Sequence, residues 1–421
     1  MHILLKLLPP ALGLVLVLAA CAPAGGTLTQ STQTRDRQPA VPDADLASVV
    51  AGSNAFAFDL YRQVAADPGN LFFSPYSLTS ALAMTSAGAA GDTASQMAAV
   101  LHFSLPPARL HPALNRLDLE LASHAQGQAF SLHSANALWG QQGFAFQPAF
   151  LETLAVDYAA GMHLVDFRSD PQAARAAINA RVSQQTQQRI QDLVPPGAVD
   201  PLTRLVLANA IYFKADWAEP FTPEATRDQP FTLLDGSQES VATMFQQSSF
   251  RYAEIGARAQ LLELPYAGND LSLLVILPAP GQFDALQADL GAGRLNVAAD
   301  SLSSREVQVW LPKFHFEYAL ALNQNLAALG MTDAFDPNKA DFSGMDGQRD
   351  LYIGSVLHKA YVAVDEQGTE AAAASAVGMQ SLAMPVASPV EFKADRPFFF
   401  LIRDNPTGTV LFLGRVIDPG K

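Results

Sequence analysis

Residues that could do covalent chemistry are scarce and scattered in this sequence. It has 421 residues, with eight histidines and one cysteine. His102, His111, His124, His133 and His163 fall near predicted helix ends, loops or strand starts, which suits solvated or core roles better than ligation. His358 stands inside an apolar strand, where a lone histidine is most often a hydrogen-bonded core residue. There is no GxGxxG, no phosphate loop, no HExxH and no GxSxG. Carboxylates are plentiful, but no spacing singles out a pair. The single cysteine permits neither an intramolecular disulfide nor a zinc site. The residues therefore predict no enzyme, no metal and no cofactor.

Residues 365–385, DEQGTEAAAASAVGMQSLAMP, suggest mechanics instead. Read alternately, one face carries Thr369, Ala371, Ala373, Ser375, Val377, Met379 and Ser381. It starts small and neutral and ends apolar. The other carries Glu370, Ala372, Ala374, Ala376, Gly378 and Gln380. No proline occurs from Asp365 to Met384, so every backbone N–H there can join a ladder. A segment that must push between paired strands needs small inward residues at its leading end. Gly368 is expected to supply the bend that starts it. A flexible alanine-rich loop has the same composition, and composition alone leaves the two equal.

The elements around this stretch are mixed. LASVVAGSNAFAFDLYRQVAA has helical spacing, and FFSPYSLTSALAMTSAGAA starts a helix after Pro75 with Ser74 as cap. Residues 169–194 read as one long surface helix capped by Asp170, and ALALNQNLAALG as another closed by Gly330. RLVLANAIYF, AQLLELPY, LSLLVILP, EVQVWLPKFHFEY, LYIGSVLHKAYVAV, PFFFLIRD and TVLFLGRVID read as strands. Several are apolar on both faces and belong in the middle of a covered sheet. The class is α+β. A hydrophobic share of 49% is ample for a large core.

The net charge of −14 repels nucleic acid and anionic headgroups, and no Lys/Arg block reverses it locally. Residues 7–20, LLPPALGLVLVLAA, are too short for a membrane span and suit a signal-peptide core. The sequence Leu18-Ala19-Ala20-Cys21 resembles the bacterial lipoprotein box, in which the cysteine is lipidated; an ordinary signal cleaved nearby is the alternative. The expected layout is a signal peptide over 1–20, a flexible Pro/Gly-rich tether over 21–45 and one folded domain over 46–421. The lipoprotein resemblance implies that Ala22 after the cysteine, rather than Asp, favours the outer membrane or cell surface, so the protein is expected to be exported and lipid-anchored.

From Asn54 to Pro419 the chain resembles the serpins, a family of serine protease inhibitors. GNLFFSPYSLTSALAMTSAGAAGDTASQM, RLVLANAIYFKADWAEPF, VLHKAYVAVDEQGTEAAAA and FKADRPFFFLIRDNPTGTVLFLGRV carry the resemblance. It implies a single domain with three β-sheets and about nine helices, metastable, with an exposed reactive-centre loop over about 366–391. It implies a monomer that traps a serine protease as an acyl-enzyme while the cut loop inserts into the main sheet; the alternative is a non-inhibitory carrier or chaperone. Glu366, Gly368, Thr369, Glu370, Ala371, Ala372, Ala373, Ala374 and Ser375 match the hinge. Trp217 and Lys313 match the breach, with Lys313 the partner of Glu366. Ser74, Ser77, Asn209 and His358 match a polar shutter, which makes His358 a hydrogen-bonded gate rather than a passive core residue. The cleaved bond falls at Leu382–Ala383, and leucine there suits a chymotrypsin-like or elastase-like protease. The chain departs from the pattern at Ser375, where threonine is common, at Gln367, where a charge is common, and in a segment after Ala383 about four residues longer than in many members.

Overall fold

The computed structural model describes residues 26–124, 130–291, 301–369 and 388–421. Near-continuous apolar strands must be covered on both faces, and β5 (Leu205–Asp216) is such a strand. It pairs in parallel with β12 (Ile353–Val364), from Ile353 opposite Leu205 to Tyr361 opposite Tyr212. These two lie inside a seven-stranded sheet. Its order is β1 (Thr27–Thr29), β4 (Met162–Val165), β3 (Phe130–Gln141), β5, β13 (Gly368–Thr369), β12 and β11 (Phe314–Ala321).

The second sheet has nine strands. Its path is β14 (Val390–Lys393), β10 (Ser303–Pro312), β7 (Gln238–Ile255), β8 (Ala259–Pro265), β9 (Leu271–Pro278), β15 (Phe398–Asp404), β16 (Val410–Val416) and β2 (Leu71–Phe73), with β6 (Arg227–Thr232) also on β7. Two of the three expected sheets are thus continuous among the described residues. The cause is the 18-residue β7, whose first residues pair β6, whose middle pairs β10 over Thr243–Tyr252 and whose last residues pair β8.

The helices are α1 (Asp43–Val64), α2 (Pro75–Ser86), α3 (Gly91–Val100), α4 (Pro107–His124), α5 (Pro148–Tyr158), α6 (Pro171–Gln185), α7 (Phe283–Gly291), α8 (Asn323–Leu329) and the single turn α9 (Ser343–Asp346). The predicted caps form: Ser74 Oγ accepts from Ser77 N at 3.1 Å, and Asp170 Oδ1 from Ala173 N at 2.9 Å. Helix α6 covers one face of the first sheet, packing Ile178 and Val182 on Ala135, Ala137, Val206 and Ala208. On the other face α2 is buried almost all round.

Three expectations need correction. EVQVWLPKFHFEY is two strands in two sheets, β10 and β11, and Lys313 is the residue between them. The surface helix stops at Gln185, because Gln187 and Gln188 take left-handed backbone (φ 52° and 63°); α8 likewise begins only at Asn323, after β11 ends. The tether does not run to Asp45. Thr27–Thr29 pairs antiparallel with Met162–Leu164, Asp36 N donates to Val156 O at 3.0 Å, and Arg35 donates to Asn115 Oδ1 and Asp118 Oδ2 at 2.7 and 2.6 Å. Edge pairing uses backbone groups and needs no hydrophobic period, so small polar residues concealed it.

Candidate functional site

The β5–β12 seam has two ends. Direct pairing stops at Tyr361 opposite Tyr212, and the strands then diverge around β13. The chain leaves β12, reverses over residues 365–368 and returns antiparallel, with Thr369 opposite Val364. Asp365 builds the reversal: its Oδ1 accepts from Gln367 N at 2.9 Å, and its N donates to Gly368 O at 2.9 Å. On its other side β13 pairs β5, Gly368 opposite Asp216 and Thr369 opposite Ala215. Gly368 is needed for close approach as well as for a bend: a Cβ there would stand 2.0 Å from Ala215 O. Thr369 is fully buried, its hydroxyl 2.7 Å from that of Tyr266.

Trp217 follows β5 directly and holds this reversal. Its N donates to Gln367 O at 2.8 Å and its Nε1 to Asp365 O at 2.9 Å. Its ring stacks on Tyr266 with centroids 4.7 Å apart. Glu366 is fixed by Lys313 Nζ at 2.7 Å and Thr226 Oγ1 at 2.8 Å. Burial pushes its carboxyl up, but those two bonds outweigh it and hold it below the ordinary glutamate value. Lys313 and Glu366 are therefore brought together, as the resemblance implies, and Lys313 can reach because it sits at the corner where β10 turns into β11.

Midway down the seam, a polar row crosses the inward face of three adjacent strands: Asn136 on β3 stands opposite Asn209 on β5, which stands opposite His358 on β12. It interrupts an otherwise apolar surface, with Leu207 and Val356 on one side and Ile211 and Ala360 on the other. Asn209 Nδ2 lies 2.9 Å from Ser77 O, 2.8 Å from Ser77 Oγ and 2.5 Å from Asn136 Oδ1. His358 Nε2 accepts from Ser74 N at 3.2 Å, so Nδ1 carries the proton and donates to Asn209 Oδ1. Burial pushes the imidazole down to about 3, so the ring is neutral at pH 7. Ser74 Oγ donates to Leu411 O at 2.7 Å, tying the row to β16 beneath.

Ser74, Ser77, Asn209 and His358 thus form one hydrogen-bonded cluster, and Trp217, Lys313, Glu366, Gly368 and Thr369 another. Glu370, Ala371, Ala372, Ala373, Ala374, Ser375, Leu382, Ala383 and Cys21 lie outside the described residues. Asn136, Thr226 and Tyr266 were missed. Asn136 left a usable trace, since it is the one amide among the alternating residues of FSLHSANALWG; Thr226 and Tyr266 left none. Among the described residues no cluster of His, Cys, Asp or Glu could hold a metal ion, and no helix is long and apolar enough to cross a membrane.

A family model described as serpin (serine protease inhibitor) matches residues 51–419. The chain belongs to the serpin family. It is similar to the leukocyte elastase inhibitor of Xenopus tropicalis, 41% identical over 86% of this serpin and 97% of that protein. Serpin48, described as a highly specific serpin of the insect Tenebrio molitor, is 33% identical, with a TM-score of 0.79 over 88% of this serpin and 98% of that chain. Tengpin, a thermophilic serpin in its native state, gives a TM-score of 0.81 at 28% identity over 93% of this serpin and 99% of that chain. This serpin therefore has the α+β fold its sequence implies.

Proposed function

We propose that this protein is a monomeric trap for serine proteases of chymotrypsin-like or elastase-like specificity. The protease cuts at Leu382–Ala383 and is held as an acyl-enzyme while the freed loop enters the seam between β5 and β12. The observation that carries this reading is the register of β13. Thr369 faces Ala215 on one side and Val364 on the other. Continued residue by residue in both ladders, that register would set Ser375 opposite both Asn209 and His358. The only hydroxyl between Glu370 and Gln380 would meet the polar row, Ala371 and Ala373 would pass the tiers above it, and Val377 would follow beside Leu207 and Val356. A one-residue slip would put every one of these side chains on the wrong face, so the match is a property of the sequence as a whole. The relatives named leukocyte elastase inhibitor support the protease class. A carrier or chaperone role needs no such match and gains no support from the small, uncharged residues after Glu370.

The test is to mix the protein with chymotrypsin or elastase and look for an SDS-resistant band of higher mass, with Thr369→Arg as control. Thr369 is already buried in the seam, and a charge forced there costs several kcal/mol unless paired. The expected result is trapping by the natural protein and simple cleavage of the variant. Equal trapping by both, or none by either, overturns the reading.

We also propose that Cys21 is lipidated and anchors the exported protein at the outer membrane or cell surface. The support is its place as the only cysteine, directly after the apolar run. Finding unmodified Cys21 in the mature protein by mass spectrometry would overturn it.

A further inference from the structure

The chain enters the fold at the end of the first sheet farthest from the hinge. β1 runs antiparallel to β4, with Thr27 opposite Leu164 and Thr29 opposite Met162. Leu164 stands opposite Gly140 on β3, which stands opposite Leu205 at the start of β5. The hinge is at the other end of β5, where Thr369 meets Ala215. Ten residues of strand separate the two levels, about 33 Å at 3.3 Å per residue. Gly26 is seated at the lower level: a Cβ there would stand 2.3 Å from Leu164 O. Cys21 is five residues before Gly26, so the connection spans at most about 18 Å. A lipid on Cys21 therefore holds this end of the sheet close to a bilayer. Two exposed leucines mark the same end. Among the described residues the exposed large apolar side chains are Leu28, Leu202 and Leu234. Leu28 lies on β1 opposite His163. Leu202, 67% exposed, lies three residues before β5, and its carbonyl accepts from Tyr352, just ahead of β12. The charges nearby have both signs and are tied into turns. Asp200 Oδ1 accepts from Leu202 N and Thr203 N at 2.9 Å, and Arg204 donates to Pro201 O and Thr203 O at 3.0 and 2.9 Å. Asp166 Oδ1 accepts from Gln141 Nε2 and Ser169 N at 3.1 Å. Such a surface suits zwitterionic headgroups, in keeping with a net charge of −14 that repels anionic ones.

We propose that this end of the first sheet, with Leu28 and Leu202, is the surface on which the anchored protein rests against a bilayer of zwitterionic lipid. The inference rests on the anchoring of Cys21 proposed above and adds the orientation. The leucines enter the headgroup boundary, where apolar burial is favourable, and the short connection keeps them there. The hinge is then held off the lipid by the length of β5, and the bait faces water. Under the trapping mechanism proposed above, the register of β13 would carry Leu382 beyond the start of β5, so a captured protease would be drawn from the water side to the bilayer side.

The experiment couples the chain from Cys21, through that thiol, to a maleimide phospholipid in phosphatidylcholine vesicles. Its outcome is then independent of whether a cell lipidates the cysteine, which the mass of the mature protein decides separately. The vesicles also contain a phospholipid with a photoreactive headgroup, and adducts are mapped by peptide mass spectrometry. The expected result is adducts in residues 26–30, 166–170 and 200–204 in excess over residues 222–226, a mostly exposed segment at the hinge end whose Thr226 meets Glu366. Leu28→Ser combined with Leu202→Ser should reduce that excess; both side chains are exposed, so the double variant keeps the fold. Adducts no more abundant in 200–204 than in 222–226 would overturn the proposal. So would a double variant with an unchanged adduct pattern.

Discussion

At the Glu366 end of the seam the one charged tie is a pair of long side chains near the surface; at the His358 row midway along it the ties are short neutral groups with no access to water. The side chain of Lys313 is 39% exposed, whereas His358 and Asn209 are fully buried. A half-exposed ion pair contributes at most about 1 kcal/mol. A buried neutral network contributes little more per bond, but leaving one member unpartnered costs about 1–3 kcal/mol. The two regions therefore do different jobs. The first holds the reversal before β13 and can be remade cheaply; the second ties β5 to β12 and, under the proposed mechanism, opposes their separation until the loop supplies a replacement partner.

The largest expected effect breaks the comparison outright. Cutting between Ser375 and Ala383 should raise the melting temperature, because a freed strand would form two new ladders at about 1 kcal/mol net per hydrogen bond and bury Val377 and Met379. Limited proteolysis, mass confirmation of the cut and comparison of the melting curves measure it. A cleaved form melting at or below the intact one would show that the seam does not accept the loop.

Asn209→Ala is next. It strands the His358 Nδ1–H and removes partners from Ser77 and Asn136. Urea unfolding of the uncleaved protein should show a loss of about 3 kcal/mol, and the cleaved form should lose less if Ser375 takes over some of the row.

Acidification probes the same row. The imidazole of His358 is near 3 when folded and about 6.5 when unfolded, so between these values the unfolded chain binds more protons. Its contribution is complete above about pH 6.5 and falls as pH drops, by roughly 2 kcal/mol at pH 5. Burial lowers His111 and His163 to about 4, which adds losses of the same sign, while Asp157, raised to about 6, offsets some of them. Unfolding at pH 7 and pH 5 should therefore show lower stability at the acid value. A flat profile would contradict a neutral, buried His358.

Lys313→Met should matter least, shifting stability by under about 1 kcal/mol. Measured beside Asn209→Ala, it sets the ratio between the two regions. A larger loss for Lys313→Met would invert the assignment of roles.

Most of the secondary structure was legible because it rests on local signals. Apolar runs marked β5, β9, β15 and β16, and Ser74 and Asp170 announced their helices through side-chain geometry that acts over three residues. Lys313, Glu366, Asn209 and His358 could be grouped only through the family resemblance, since their contacts join residues far apart in the chain. What stayed hidden had no local signature beyond the lone amide at Asn136. Asn136 meets Asn209 only through strand register, Tyr266 meets Thr369 only because a bridge places it beside Trp217, and the N-terminal edge strand is held by backbone groups that every residue possesses. The split at Lys313 was missed for the opposite reason: both sides have strand patterning, and the corner between two sheets carries no break in composition.

The two residues of β13 have a consequence for timing. Strand addition ordinarily begins with a search, in which a loop must bring its end to the right place and the right register before any bond rewards it, and the entropy of closure grows with loop length. Here Gly368 and Thr369 already occupy both ladders. Under the proposed mechanism, what remains is propagation from a formed nucleus, one residue after another, with no choice of register left to make. The rate of such a process depends on how quickly β5 and β12 yield at each step and hardly at all on how long the loop beyond Ser375 is. In the proposed mechanism a loop lengthened near its far end would move the point of attack without slowing the race against deacylation, so bait and spring could vary separately.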